Sequence, residues 1–415
     1  MLTNFVDNIT TICQAKRIII AYSGGLDSHV LLHLASNYCT KRQTLLAVHI
    51  NHGLQTQAVQ WAKHCEKICD ALAIPWQVIN LHLGDEKNNI EATARAARYQ
   101  ALAKFVKKND VLLMGHHVDD QAETYLLQLL RGAGIKGLAA MPQSALFAEG
   151  HLVRPLLTTT RAQLHDYAQQ HQLHWIEDAS NQDLRFDRNF LRQQVIPLLK
   201  QRWPQIANTI ARSAQHCARA DSLLSDLAHA DLSDIITDKL SVKKLLLLSV
   251  QRQMNAIRTW LHYLKLPLPS EKKLQHVVND VLHAKADATP LVSWHGVQIR
   301  RYRHYLYAMT PLAFFDPQQT FAWQLPKPLT LPIGTVTIKD IEQLDLKKLP
   351  THLTIRFRQG GEYFHPAGRQ HSQCLKKLMQ TWHIPPWQRQ RIPLLYHQQQ
   401  LIAVLGHAVH KNYDK

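Results

Sequence analysis

The hydrophobic positions of the first 180 residues switch repeatedly between two periods. Aliphatic runs, typical of strands buried on both faces, occur at Ile18–Tyr22, Leu45–Ile50 and Val111–Met114, and Trp76–Leu83, broken by Gln77, Asn80 and His82, also reads as a strand. Between them the apolar residues fall at helical spacing over Ala58–Leu72, Ile90–Lys107 and Asp119–Leu130. Val30, Leu31 and Leu34 open a further helix directly after the first run. This alternation predicts an α/β domain, a doubly wound parallel sheet with helices on both faces. Ligands of such sheets bind at the carboxyl ends of the strands. Ser23–Ser28, Asn51-His52 and Gly115–Glu123 are therefore expected along one rim.

Further on the pattern changes. Ala211–Ala230 and Val242–Leu264 read as helices, Leu291–Met309 as two strands, and the proline-bearing Leu325–Pro332 as a boundary. The expected organisation is a nucleotide-binding domain over 1–210, a mostly helical middle domain over 211–345 and a small basic α+β domain over 346–415.

The first run stops at Ser23-Gly24-Gly25-Leu26-Asp27-Ser28, a glycine turn that opens a helix. Backbone amides and the positive helix end converge there, which favours a phosphate or pyrophosphate. Asp27 would repel a bare anion, so it is expected to hold Mg²⁺ or to orient a neighbour. The stretch is neither a Walker loop nor G-x-G-x-x-G. It resembles the pyrophosphate (PP) loop of the N-type ATP pyrophosphatases, which cut ATP between the α and β phosphates.

The second chemical stretch, Gly115-His116-His117-Val118-Asp119-Asp120-Gln121-Ala122-Glu123, again leaves a strand and starts a helix. A single acid there would only suit the helix dipole. Three carboxylates and two histidines on the rim of a nucleotide site point to metal binding or amine chemistry. Arg95 and Arg98, three apart on one helix face, could clamp phosphate or a carboxylate. Arg188 and Arg192 stand at i and i+4. A glycine-rich loop, Arg131–Leu138, and Arg154-Pro155-Leu156-Leu157 lie between.

With 415 residues and 46% hydrophobic content the chain is long enough for two or three globular domains. A formal charge of +17 argues for a polyanionic partner. Arg300-Arg301-Tyr302-Arg303-His304-Tyr305 interleaves cations with aromatics, as RNA contacts do and as an exposed strand also does. From Arg356 to Arg391, Arg356, Arg358, Arg369, Lys376, Lys377, Arg389 and Arg391 face one acid, Glu362. The six cysteines are scattered without a Cys-x-x-Cys pair, which argues against a zinc ribbon or disulfide framework. No apolar run reaches membrane-helix length, and Met1–Arg17 does not read as a secretory signal, so the expected compartment is the cytoplasm.

Taken in order, Ser-Gly-Gly-Leu-Asp-Ser, His-His-Val-Asp-Asp-Gln-Ala-Glu-Thr, Arg-Gly-Ala-Gly-Ile-Lys-Gly-Leu, Arg-Pro-Leu-Leu and Glu177-Asp-Ala-Ser-Asn-Gln-Asp183…Arg-Asn-Phe-Leu-Arg192 resemble the tRNA(Ile)-lysidine synthetases over roughly 18–200. The tail motifs are similar too, with Gly361-Glu362-Tyr363 standing where that family commonly has Gly-Asp-Arg. The resemblance implies ATP-dependent joining of free lysine to C2 of the wobble cytidine of a CAU-anticodon tRNA(Ile), through an adenylated base. It implies catalytic roles for Asp27, Arg95 or Arg98, His117, Asp120 and Glu123. ATP and Mg²⁺ would be held by Ser23, Gly24, Gly25, Leu26, Asp27, Ser28 and Asn51, with Asp27 as the metal ligand. The expected tRNA contacts are Arg188, Arg192, Arg301, Arg303, Arg356, Arg358, Lys376 and Lys377. A dimer is as compatible with the sequence as a monomer. A tRNA thiolase of the same superfamily and a non-catalytic RNA-binding protein are the alternatives; the first needs a reactive cysteine, the second no carboxylates beside a phosphate.

Overall fold

The computed structural model describes residues 12, 15–38, 44–51, 58–81, 90–177, 182–232, 238–285 and 288–415. His52, Cys13, Cys39 and positions 178–181 of the fifth motif lie outside them, as does the side chain of Glu91. The polypeptide divides into two compact units, 1–227 and 228–415, whereas the sequence pattern places breaks at 210 and 345.

In the first unit six strands make one sheet: β1 (Arg17–Ala21), β2 (Thr44–Asn51), β3 (Trp76–Asn80), β4 (Asp110–Leu113), β5 (Ser144–Phe147) and β6 (Gly150–Val153). Their order is β3-β2-β1-β4-β6-β5, all parallel except the edge strand β5. Central β1 explains its own sequence. Ile18 and Ile20 point into one core with Val30, Leu31 and Leu34, while Ile19 points into the other with Leu46 and Leu112. All three isoleucines are fully buried, each worth about 1.5–3 kcal/mol. Helices α1 (Leu26–Tyr38), α2 (Ala58–Ala71), α3 (Ile90–Ala103), α4 (Val118–Leu130), the single turn α5 (Ile135–Leu138) and α6 (Arg161–Gln170) connect and cover the strands.

An arm follows: a turn of helix at Asp187–Phe190, a π turn at Leu191–Val195 and a helix at Ile196–Arg202. Ile196 is buried beside Val118 and Ala122 of α4 and the first turns of the helix Ile206–Leu232. The arm is thereby seated on α4.

Among the described residues the second unit holds two larger sheets and two short two-stranded ribbons. A four-stranded one pairs β7 (Lys239–Ser241), β10 (Tyr305–Met309), β9 (Val297–Tyr302) and β8 (Leu291–Trp294) in that order, against helices whose core includes buried Trp260. A five-stranded antiparallel sheet joins Phe321–Gln324 to strands of the tail.

Two expectations need correction, and one element was not foreseen. Leu291–Met309 forms three strands, because His295-Gly296 and Arg303-His304 each make a tight turn with positive φ at His295, Gly296 and Arg303. Val242–Leu264 is two helices, Val242–Leu246 and Val250–Tyr263, since Ser249 adopts an extended conformation as the cap of the second. The β5–β6 hairpin was not legible, its edge strand being too short and too exposed to carry a period.

Candidate active site

The rim holds the chemistry. Ser23–Gly25 follow β1, Asn51 ends β2 and Gly115 follows β4, so three distant segments meet at the carboxyl ends of neighbouring parallel strands. Asn51 bonds the Asn80 carbonyl oxygen through its amide, at 3.1 Å, at the end of β3.

Between β1 and α1 the chain folds onto itself. Ser28 Oγ donates to Gly25 O at 3.0 Å and accepts from Ser23 N at 3.2 Å, while the Ser23 and Ser28 hydroxyls lie 3.0 Å apart. Gly24 has φ +84°, and a Cβ there would stand 2.8 Å from Cys65 Sγ and 2.9 Å from Ile176 Cδ1. Only glycine fits. Ile176 N also donates to Gly24 O at 2.9 Å, which straps the loop to the segment after α6. Leu26 is buried, and Asp27 begins the first turn of α1.

Asp27 faces α4. Its Oδ2 lies 3.5 Å from His117 Nε2, and the same nitrogen is 3.4 Å from Asp120 Oδ2. His117 is the N-cap of α4: its backbone N donates to Asp120 Oδ2 at 3.0 Å and its Nδ1 accepts from Asp120 N at 3.4 Å. Burial alone would hold the imidazole neutral, but Asp120, Asp27 and Asp119 outweigh it and raise its pKa. Burial likewise opposes the charge on Asp120, yet His117, His116, Arg188 and Arg192 pull its pKa down.

Arg188 and Arg192, expected on a tRNA-facing surface, are turned inward. Arg188 Nε donates to Glu123 Oε2 at 2.9 Å and its Nη2 to Thr124 Oγ1 at 3.0 Å. Arg192 donates from Nε to Glu123 Oε1 at 2.6 Å and from Nη2 to Asp120 Oδ1 and Glu123 Oε2, both at 2.9 Å. Charge pairing is the reason: Glu123 is 1% exposed and a buried carboxylate requires a cation. Lys200 Nζ meets Asp119 Oδ1 at 2.6 Å, and Arg161 N donates to Asp119 Oδ2 at 3.0 Å. Three cations of the arm thus sit on three acids of the first turns of α4. A cavity of about 150 Å³ is lined by His117, Asp119, Glu123, Arg161, Arg192 and Lys200, among others.

Of the two arginines on α3, Arg98 is close enough to Asp120 and Arg188 to feel their charge, and burial lowers its pKa. Its Nε has no hydrogen-bond partner among the described residues. Arg95 is exposed and lies over the Tyr99 ring, 5.2 Å from its centroid. Beside Arg98, His116 is pushed down to about 3 by burial. Arg154, nearly buried, donates to Pro142 O at 2.6 Å. Gln121 clamps Met141 by donating to its O at 2.8 Å and accepting from its N at 2.9 Å. Sequence reasoning counted His116 with His117 for metal or amine chemistry, and assigned no role to Gln121, Arg154 or Lys200. Lys200 had a signal: it continues the four-residue series Arg188, Arg192, Ile196.

The donor set fits Mg²⁺. Asp27 Oδ1 is buried without a hydrogen-bond partner among the described residues, and Mg²⁺ takes one or two carboxylates with phosphate oxygens and water. Among the described residues no three His, Cys, Asp or Glu side chains group as an all-protein metal centre.

The other expected tRNA contacts divide into two kinds. Arg301 Nη1 caps the helix end Leu282–Ala284 through both carbonyls at 2.7 Å, and Arg303 donates to Gln380 O at 2.6 Å and contacts His383. Arg356 lies over the Tyr396 ring, Arg358 pairs with Glu362 at 3.8 Å, and Arg389 is buried against Ile384 O and Tyr302 Oη. Lys376 and Lys377, on the helix Leu375–Thr381, are exposed.

Comparison with known proteins places these parts in a family. A model described as "PP-loop domain" matches 1–199, one described as "TilS substrate binding domain" matches 240–307, and "TilS substrate C-terminal domain" matches 353–415. A tRNA(Ile)-lysidine synthase of Coxiella burnetii (strain RSA 493 / Nine Mile phase I) is 44% identical over 416 residues, covering 98% of this chain and 92% of its own. Another, of Legionella pneumophila (strain Lens), is 42% identical over 402 residues, covering 95% and 92%. Among solved structures, the U34-tRNA thiolase of Methanococcus maripaludis aligns over 52% of this chain and 77% of its own, with 15% identity and a TM-score of 0.44.

Proposed function

The chain belongs to the tRNA(Ile)-lysidine synthase family, and on that premise we propose that it ligates free lysine to C2 of the wobble cytidine of a CAU-anticodon tRNA(Ile). The C2 oxygen attacks the α-phosphorus of ATP and diphosphate leaves. The lysine ε-amine then bonds to C2, the C2–O bond breaks, AMP leaves and the amine gives up a proton.

Each group has a task in this reading. The glycine loop, with Ser23 and Ser28, cradles the phosphates at the start of α1. Asp27 would hold Mg²⁺, which neutralises phosphate charge when bound. Arg98 offers an unspent guanidinium edge to the α-phosphate, with Arg95 at its flank. Asp120 and Glu123 hold the lysine ammonium, and the His117–Asp120 pair takes the proton the amine must lose. Exposed Lys376 and Lys377 engage tRNA phosphates. ATP and tRNA as substrates put the work in the cytoplasm, and no helix among the described residues is long and apolar enough to cross a membrane.

The observation that carries the proposal is the chain Asp27–His117–Asp120, at 3.5 and 3.4 Å, which ties the phosphate loop to the acid pocket. A thiolase needs a reactive thiolate at the nucleotide. Among the described cysteines, Cys65, beside Gly24 of the loop, and its neighbour Cys69 are fully buried, and burial pushes both thiols up to about 12. The test is multiple-turnover pyrophosphate release, with ATP in large excess over enzyme and lysine and tRNA each omitted in turn, because sustained release needs lysine to discharge the adenylated base. Dependence on both is expected, whereas indifference to lysine would sink the proposal.

A further inference from the structure

The carboxylates assigned to the lysine ammonium are already occupied. Glu123 Oε1 accepts from Arg192 Nε, and Oε2 accepts from Arg188 Nε and Arg192 Nη2. Asp120 gives Oδ1 to Arg192 Nη2 and Oδ2 to the His117 backbone. An ammonium group carries three donors and needs acceptors with lone pairs facing it. Two guanidinium groups stand in its place.

Pulling them away alone would strand two buried carboxylates, which is strongly unfavourable. The same two cations are what an α-phosphate beside Asp27 calls for. Arg192 lies near enough to Asp27 to feel its charge, and Arg188 near enough to Arg98. Both side chains keep some solvent contact, 21% for Arg188 and 27% for Arg192. The base of the arm is fixed by buried Ile196 and by the Lys200–Asp119 pair. Arg192 itself lies in the π turn, a backbone irregularity frequent at functional sites.

We propose that Arg188 and Arg192 are charge placeholders: without nucleotide they occupy Asp120 and Glu123, and when ATP binds they turn to its phosphates and release the carboxylates to the ammonium of the incoming amine. This rests on the lysine-ligase reading above. The exchange keeps every charge paired. It also makes the two ligands reciprocal, since whatever draws the arginines off the acids prepares the amine site.

The experiment is calorimetric titration of L-lysine into the full chain, with and without Mg²⁺ and a non-hydrolysable ATP analogue. In the native protein the analogue should tighten lysine roughly 10-fold, within the usual range of coupling between sites. Arg192→Gln should bind lysine more tightly than the native chain without nucleotide and lose most of the coupling. Arg192→Lys, which keeps the charge, should retain part of it, a pattern a purely structural salt bridge does not give. Lysine affinity unchanged by a bound analogue would overturn the exchange, and that measurement needs no variant. So would an Arg192→Gln protein, folded, that binds lysine more weakly in both states. Failure of lysine to bind in any state, with the analogue bound, would instead remove the lysine reading itself.

Discussion

Gly115 packs against the backbone of Asp27: a Cβ at position 115 would stand 2.9 Å from Asp27 O and 3.1 Å from Ser28 N. Absence of a side chain is what lets the start of α4 close on the phosphate loop. Gly115→Ala should lower stability by about 1–3 kcal/mol through overpacking. Pyrophosphate release should fall more steeply, because a displacement of about 1 Å can cost roughly 100-fold in rate. Thermal denaturation and turnover assays read the two effects. A folded variant with native turnover would show that the spacing of the two motifs is not critical.

Asp27→Ala should reduce adenylation by at least about 100-fold, the scale on which electrostatic stabilisation of a charged transition state acts. Its affinity for tRNA should stay near native, since the residue lies in the phosphate loop. Filter binding beside pyrophosphate release separates these. Loss of tRNA binding in step with activity would argue against a local role for Asp27.

Histidines whose pKa is pressed down make stability depend on pH, His29 and His116 most strongly. Burial, with His64, His33 and His174 alongside, presses His29 down to about 4, and burial presses His116 down to about 3. Unfolding returns both to about 6.5. Between those values the unfolded chain binds protons that the native chain refuses, so the contribution of these two groups falls as pH falls from about 6.5, towards about 4 for His29 and about 3 for His116. His117, with its raised pKa, acts in the other direction: its contribution is present below about pH 6.5 and is lost as pH rises through its native value. Urea midpoints at about pH 7 and about pH 4.5 should differ, and His29→Leu should shrink the difference. Equal midpoints for the native chain would contradict the account.

In the tail, the proposed reading assigns tRNA phosphates to the exposed cations Lys376 and Lys377. Replacing Lys376 and Lys377 together by Ala should weaken tRNA binding and reduce the salt slope by about 2, roughly one for each phosphate left without its cation. Arg301→Ala should leave that slope alone and destabilise the second unit by about 1–3 kcal/mol, because two helix-end carbonyls lose their donor. Titrations at several salt concentrations distinguish the pair. A salt slope that moves for Arg301→Ala and not for the lysines would reverse the assignment.

How much of the molecule was legible varies by residue. The phosphate loop, the parallel sheet and the acids of α4 were readable because each is local: a run, a turn and a helix start lie within a few positions of one another. What the arginines touch was not. Arg188 and Arg192 share a helix face in the sequence, but whether that face meets RNA or Glu123 depends on a contact 65 to 69 residues away. The same holds for Arg301 and Arg303, whose basic, aromatic strand reads as an RNA surface until the carbonyls of Leu282, Ala284 and Gln380 are placed beside it. Periodicity reports which side of an element is polar. It does not report the neighbour.

The Gln121 amide bonds both the N and the O of Met141, so it behaves as a dowel between α4 and the end of the glycine-rich segment. It sits directly after Asp120 and two residues before Glu123. Any molecule that shifts residues 139–141 drags the dowel with it and re-aims the acids on either side. On the lysine-ligase reading, the segment opened by Arg131-Gly132 would be a handle on the acids of α4, coupled to them through Gln121.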